Sequence, residues 1–241
     1  MVSRYDVVNL FNSQLPLFSW KGDEHAKGIY FNQEYGYLVE RTYAVRVRHN
    51  EPAPSVFYKP HDNNNEEDEV FSEYPYKDLT KVTKNYHHLF QTNELDEGML
   101  EHLFNVDFYD HVILPAAPLD TLLRKVANKR QRDRCLFEIK KDADEIRVSV
   151  IERANATVLF SESFKTSTEI GYRENKGMLY SYLNANTVLH ALNLFNLKGN
   201  VFFSISRDKI KLNSYTSTPK VEAVISVPRQ KMVKINRNQI N

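Results

Sequence analysis

The chain has 241 residues, with 32 lysines and arginines against 31 acids and a formal net charge of +1, so overall charge points to neither a polyanionic nor a polycationic partner. Its length allows one large or two small buried cores. A single cysteine excludes a disulfide framework or a cysteine metal site, seven glycines argue against a Gly-rich nucleotide-binding fold, and no apolar run approaches a membrane span.

Charge is uneven along the chain. Leu119 to Arg134 holds six basic and two acidic residues, Arg229 to Asn241 four basic and none acidic, and Asp62 to Glu69 five acids. Met1 to Asp6 lacks signal-peptide architecture, so the expected location is the cytoplasm.

In chain order, Ser3 caps a predicted helix from Arg4 to Gln14, with Val7, Val8, Leu10 and Phe11 on its apolar side. Strands are predicted at Leu17–Trp20, Gly28–Asn32, Tyr37–Glu40 and Tyr43–Arg48, with a turn at Gln33–Gly36. The stretch 50–75, punctuated by Pro52, Pro54, Pro60 and Pro75, reads as a mobile surface insertion; an acidic gate for a basic partner is the rival reading. Asp78 caps a predicted helix to Phe90, with Lys81, Lys84 and His88 outward, and a further turn or two of helix is expected around Leu95, Met99 and Leu103.

From Tyr109 to Pro228 one pattern is written twice: strand, helix, three strands. The first copy is His111–Leu114, a helix over Leu119–Arg130, then Cys135–Ile139, Glu145–Val150 and Thr157–Phe160. Leu119, Leu122, Leu123 and Val126 share one face of that helix, with Asp120, Arg124, Lys125 and Asn128 opposite. The second copy is Met178–Tyr182, a helix over Asn186–Phe195, then Val201–Ile205, Lys209–Asn213 and Val221–Ile225. Asn184 stands at its N-cap, and Val188, Ala191, Leu192 and Phe195 face away from Asn186, His190 and Asn193. The class is α+β, with helices on one face of a continuous antiparallel sheet. Thr157–Phe160 and Val221–Ile225 are candidate edge strands.

Leu122-Leu123-Arg124-Lys125-Val126 leading into the strands of Cys135–Phe164, the Asn-initiated helix Asn184–Leu194, and the closing Ile225-Ser226-Val227-Pro228-Arg229 resemble the last domain of the bacterial DNA sliding clamp. The resemblance implies repeated β-α-β-β-β units in a clamp-like fold, and a division into residues 1–108, 109–229 and a basic tail 230–241. It further implies a processivity factor that encircles double-stranded DNA and holds a DNA polymerase, with a clamp loader as a second partner. A two-domain chain implies a homotrimer, and its size and asparagine content suit a phage or other virus.

Arg124, Lys125, Lys129, Arg130 and Arg132, with Lys81 and Lys84 on another helix, form solvated basic faces by themselves; on clamp topology such side chains meet DNA phosphates. His190, Asn193, Asp6, Asn9 and Asn12 stand where the family offers a denser basic lining. The positions matching the family's partner-peptide cleft are Ile225, Val227 and Pro228; filling the core is the rival reading for Ile225.

No catalytic constellation is present. His87-His88 point about 100° apart on a helix, with no third ligand spaced to join them. Tyr109-Asp110-His111 is explained by a capping Asp at a strand start, and Glu138, Asp142, Asp144 and Glu145 by a strand and a charged hairpin turn. No phosphate loop or nucleophile motif occurs. A non-enzymatic protein without cofactor or metal is therefore expected. The alternatives are a monomeric clamp-fold DNA-binding accessory protein and a metal-dependent nuclease.

Overall fold

A computed structural model describes residues 2–12, 29–39, 43–51, 56–60, 71–75, 97–108, 110–141, 145–165, 179–195, 197–206, 208–214 and 220–227. Helix α1 (Arg4–Asn12) opens the chain. The Ser3 hydroxyl accepts from the Asp6 amide (3.1 Å) while the Asp6 carboxylate accepts from the Ser3 amide (2.8 Å), a reciprocal cap that satisfies two otherwise orphan donors.

Strands β1 (Ile29–Phe31), β2 (Tyr35–Val39) and β3 (Tyr43–Arg48) follow as an antiparallel meander. The β1–β2 turn forms because the Asn32 side-chain oxygen accepts from the amides of Glu34 (3.0 Å) and Tyr35 (2.8 Å). Gly36 lets α1 approach: a Cβ there would stand 2.7 Å from Val7 Cγ1 and 2.8 Å from Phe31 Cε1.

Within the stretch expected as a mobile insertion, β4 (Val56–Pro60) and β5 (Phe71–Pro75) pair with each other and continue the sheet beyond β1. Their β-branched and aromatic residues favour strand over loop. Helix α2 (Glu97–Phe104) buries Leu100, Leu103 and Phe104. The readings of Leu17–Trp20, the helix Asp78–Phe90, His87-His88, the Asp142–Asp144 turn and the basic tail lie outside the described residues.

The double pattern is present. The first unit is β6 (Asp110–Pro115), α3 (Ala116–Arg124), α4 (Lys129–Arg132), β7 (Cys135–Lys141), β8 (Glu145–Glu152) and β9 (Thr157–Lys165). The second is β10 (Leu179–Asn184), α5 (Ala185–Leu192), β11 (Asn200–Ile205), β12 (Lys209–Asn213) and β13 (Val221–Ser226). The sheet is not continuous, as the sequence suggested, but divided in two.

Each unit lends its first strand to the other's sheet. β6 pairs with β11, and β10 pairs with β7. One sheet runs β10-β7-β8-β9; the other runs β5-β4-β1-β2-β3-β13-β12-β11-β6. The exchange interlocks the units, so neither buries its apolar stripe alone. A single cluster holds Leu119, Leu122 and Leu123 of α3, Val188 and Leu192 of α5, and inward residues of both sheets such as Phe137 and Phe203. Cys135 lies buried in the same cluster, where burial raises its thiol pKa.

β13 is not an edge. It pairs with β3, Val221 opposite Val47 and Ile225 opposite Tyr43, and so carries the sheet from the N-terminal part into the repeat. Of the two candidate edges, β9 alone lies at the margin of its sheet.

Candidate nucleic-acid interface

The predicted helix Leu119–Arg130 is two helices. Asn128, extended at φ −143 and ψ 163, breaks the run and caps α4, its side chain accepting from the Gln131 amide (2.9 Å). Asn184 caps α5 as expected, accepting from the Thr187 amide (3.0 Å).

The break redistributes the basic residues. Arg124 ends α3 and turns back: its Nε donates to Asp120 Oδ2 (2.7 Å) and its Nη2 to Oδ1 of Asn193, the C-cap of α5 (3.0 Å). That bond to Asp120 raises the Arg124 pKa. Asp120, expected on the solvent side, is buried, because the arginine one turn later closes over it. Lys125 leans the other way, its ammonium 5.9 Å from the Phe160 ring centroid on β9.

On α4, Lys129 and Arg130 are exposed. Arg132 is half-buried, donating to the Val126 carbonyl (2.8 Å) and to Asn186 Oδ1 (3.4 Å). Asn186 and His190, expected on the solvent face of α5, pack inward instead, because α4 covers that face. Neither His190 ring nitrogen has a hydrogen-bond partner among the described residues. Burial, then the charges of Lys129 and Arg132, push its pKa down to about 4, against the opposing pull of Asp133.

Two basic residues that the sequence reading did not single out stand beside α4. The Arg134 amide donates to the Gln131 carbonyl (2.9 Å), extending the α4 turn, and the Arg134 carbonyl accepts from the Arg153 amide (3.0 Å). Arg130 and Arg134 are four residues apart, a signal legible in sequence; Arg153 arrives only through the β7–β8 pairing. Lys81 and Lys84 lie outside the described residues.

Of the expected peptide cleft, Ile225 is 1% exposed inside the core cluster, so it takes the core role of its two readings. Val227 is half-buried against that cluster, its amide donating to the Asp208 carbonyl (2.8 Å); Pro228 lies outside the described residues.

Among the described residues no group of three His, Cys, Asp or Glu is placed to hold a metal. Glu138 sits in mid-strand opposite Ser149 and Tyr182, and Glu145 pairs with Arg147 at 3.8 Å. Asp110 opens β6, accepting from the His111 amide (2.7 Å) and Lys141 Nζ (3.2 Å). No described helix is long and apolar enough to cross a membrane.

Two interlocked β-α-β-β-β units with their helices side by side make an α+β clamp-like fold. Bacterial sliding clamps share it. The Helicobacter pylori beta clamp bound to a DNA ligase peptide matches at TM-score 0.53 and 9% identity over 92% of this chain and 63% of its own. The Pseudomonas aeruginosa sliding clamp (DNA polymerase III subunit beta) bound to griselimycin matches at 0.53 and 9% over 97% of this chain and 65% of its own. The Bartonella birtlesii clamp bound to griselimycin matches at 0.54 and 10% over 88% and 60%. The chain thus spans less than two thirds of the length of these clamps, and at such identities the likeness is one of fold. No family model and no curated protein matches the sequence.

Proposed function

We propose that this chain is a sliding clamp: a non-enzymatic processivity factor that closes as a homotrimer around duplex DNA and tethers a DNA polymerase. Its two halves, 1–108 and 109–229, are the clamp domains, and three chains supply the six domains of a ring. The observation that carries this reading is the interlocked pair of units joined to the N-terminal sheet through β3 and β13. An aligned share of 63% of a bacterial clamp chain is close to two of its three domains.

Ring closure would use β9, which among the described residues has β8 on one side only. An edge strand of nine residues is a template for pairing with another chain, and a closed homo-oligomer removes that exposure. Duplex DNA would be held without base reading by Lys125 and the exposed Lys129 and Arg130 of α4, joined by Lys81 and Lys84; a partner's apolar peptide would dock near Val227 and Pro228. A viral replication system, working in the host cytoplasm with or without a loader, suits a two-domain clamp.

A monomeric clamp-fold accessory protein is the second reading. It is favoured by the engagement of Arg124 and Arg132 within the chain, which thins the basic lining. Retention on DNA separates the two. A trimeric ring, once loaded on nicked circular DNA, stays through a high-salt wash and is lost when the circle is cut to a linear form. Monomeric mass in light scattering, with equal retention on circles and linear DNA, would overturn the ring.

A further inference from the structure

The strongest basic site among the described residues is a corner, not a helix face. Arg130 and Arg134 lie one helical turn apart, because the α4 turn runs on through the Arg134-to-Gln131 bond (2.9 Å). Arg134 and Arg153 face each other one step beyond the first β7–β8 pair, Cys135 with Glu152, and are linked by the 3.0 Å bond from the Arg153 amide. Directly opposed side chains on an antiparallel pair stand about 5 Å apart at Cβ, and like charges there destabilise. A tight turn with Ala156 at φ 56 returns the chain into β9 beyond Arg153.

All three arginines are exposed, and none has an ion pair or side-chain hydrogen bond among the described residues. Of the two acids adjoining them in sequence, Glu152 accepts from the Asn155 side chain (2.8 Å), and the exposed Asp133 forms no ion pair with the three arginines. The backbone thus brings three exposed arginines, without an ion pair among the described residues, to the corner where α4 meets the ends of β7 and β8. Guanidinium forks match phosphate oxygens two at a time, which suits a polyanionic backbone.

We propose that Arg130, Arg134 and Arg153 form a phosphate-binding ridge that grips the backbone of duplex DNA, and that Arg124 and Arg132 instead hold the helices in place. This deepens the clamp reading, on which its biological sense rests, but it is a direct contact and does not require a closed ring. Sequence-independent phosphate contacts at one corner would let the duplex slide while its path is held off-centre.

The experiment measures the salt dependence of binding to a short linear duplex, which no ring can retain. Each phosphate contact contributes about 0.9 units to the slope of log K against log salt, so Arg130→Ala/Arg134→Ala/Arg153→Ala should flatten the slope by roughly 2 to 3 units. The triple lysine variant should keep most of the slope, and Arg124→Ala should leave it at the wild-type value. Melting temperature is the control for folding. A triple alanine variant with the wild-type slope, or a wild type that shows no salt-dependent binding to the duplex, would overturn the ridge. Retention on circular DNA is read separately: a ring that survives with an unaltered slope sinks the ridge alone, and a lost slope without retention on circles sinks the clamp reading alone.

Discussion

Arg46 on β3 and Glu222 on β13 form an ion pair with both side chains buried, at the pairing that joins the N-terminal sheet to the repeat. The Arg46 guanidinium also lies between two rings, 4.5 Å from the Tyr35 centroid and 4.6 Å from that of Phe104. Lys211 of β12 donates to the Phe104 carbonyl (3.0 Å), and burial lowers its pKa. Helix α2 is too short to hold its shape alone; these contacts and its buried Leu100, Leu103 and Phe104 fasten it across the junction.

Breaking one half of that pair should be costly. Glu222→Ala strands the Arg46 charge in a dry site, and removing one partner of a buried pair costs about 3–5 kcal/mol. Replacing both, as Arg46→Met/Glu222→Leu, should recover most of the loss, because the desolvation penalty goes with the charges. Urea unfolding of the wild type, the single and the double variant checks this. Equal losses in single and double would assign the damage to packing around Tyr35 and Phe104.

The edge strand β9 carries the exposed Val158 (53%) and Leu159 (41%) beside an irregularity in its pairing at Val150/Ile151. Solvent-facing apolar residues on an unpaired edge are an association surface, and lysine is the residue natural edges use to block pairing. On the proposed ring, Val158→Lys/Leu159→Lys should shift the mass in light scattering from trimer to monomer. Melting of the monomeric unit should change by less than about 0.5 kcal/mol, since neither side chain is in the core. An unchanged mass would move the interface elsewhere.

His190 makes stability depend on pH. Its folded pKa of about 4 lies below the ordinary 6.5 of the unfolded chain, so the neutral ring is the form the fold favours. The contribution is fully present above about pH 6.5 and is lost as pH falls towards about 4, with a slope of at most about 1.4 kcal/mol per unit. Lys129 and Arg132 sharpen the effect and Asp133 moderates it. Carboxylates and His49, whose pKa burial also lowers, titrate nearby, so the wild type is compared with His190→Gln. The urea midpoint of the wild type should fall relative to that of the variant as pH drops from 7 to 4. A constant difference would place the proton elsewhere.

What the sequence disclosed was local. The period-two runs Tyr43–Arg48 and Lys209–Asn213 became β3 and β12 at those bounds, and Asn184 and Ser3 became caps because their signal spans three residues. What it hid needed partners far along the chain. Strand exchange between units, the β3–β13 pairing and Arg153 beside Arg134 are set by long-range ladders that no window contains. The basic residues of the first unit were legible as a cluster, but their division was not. The Asp120–Arg124 spacing of one turn was visible, but only the packing beside α5 closes the exposed Arg124 over the buried Asp120.

The last test concerns the proposed docking of a partner peptide at the end of β13. Ile225, wholly within the core, cannot anchor a ligand without unfolding its own strand, and Ile225→Ala should cost about 2–5 kcal/mol as a cavity mutation. Val227 is different: it sits past the end of β13, half-buried, held by its amide to the Asp208 carbonyl, so its side chain can change while the backbone bond stays. An apolar anchor buried against it would contribute about 1.5–3 kcal/mol. Val227→Asp should therefore weaken a short apolar peptide from the cognate polymerase by roughly tenfold or more. Titration of that peptide against wild type and variant measures the effect, with melting temperature confirming that the domain remains folded. Equal affinities in two folded proteins would separate the tether from this strand end and leave Val227 as packing alone.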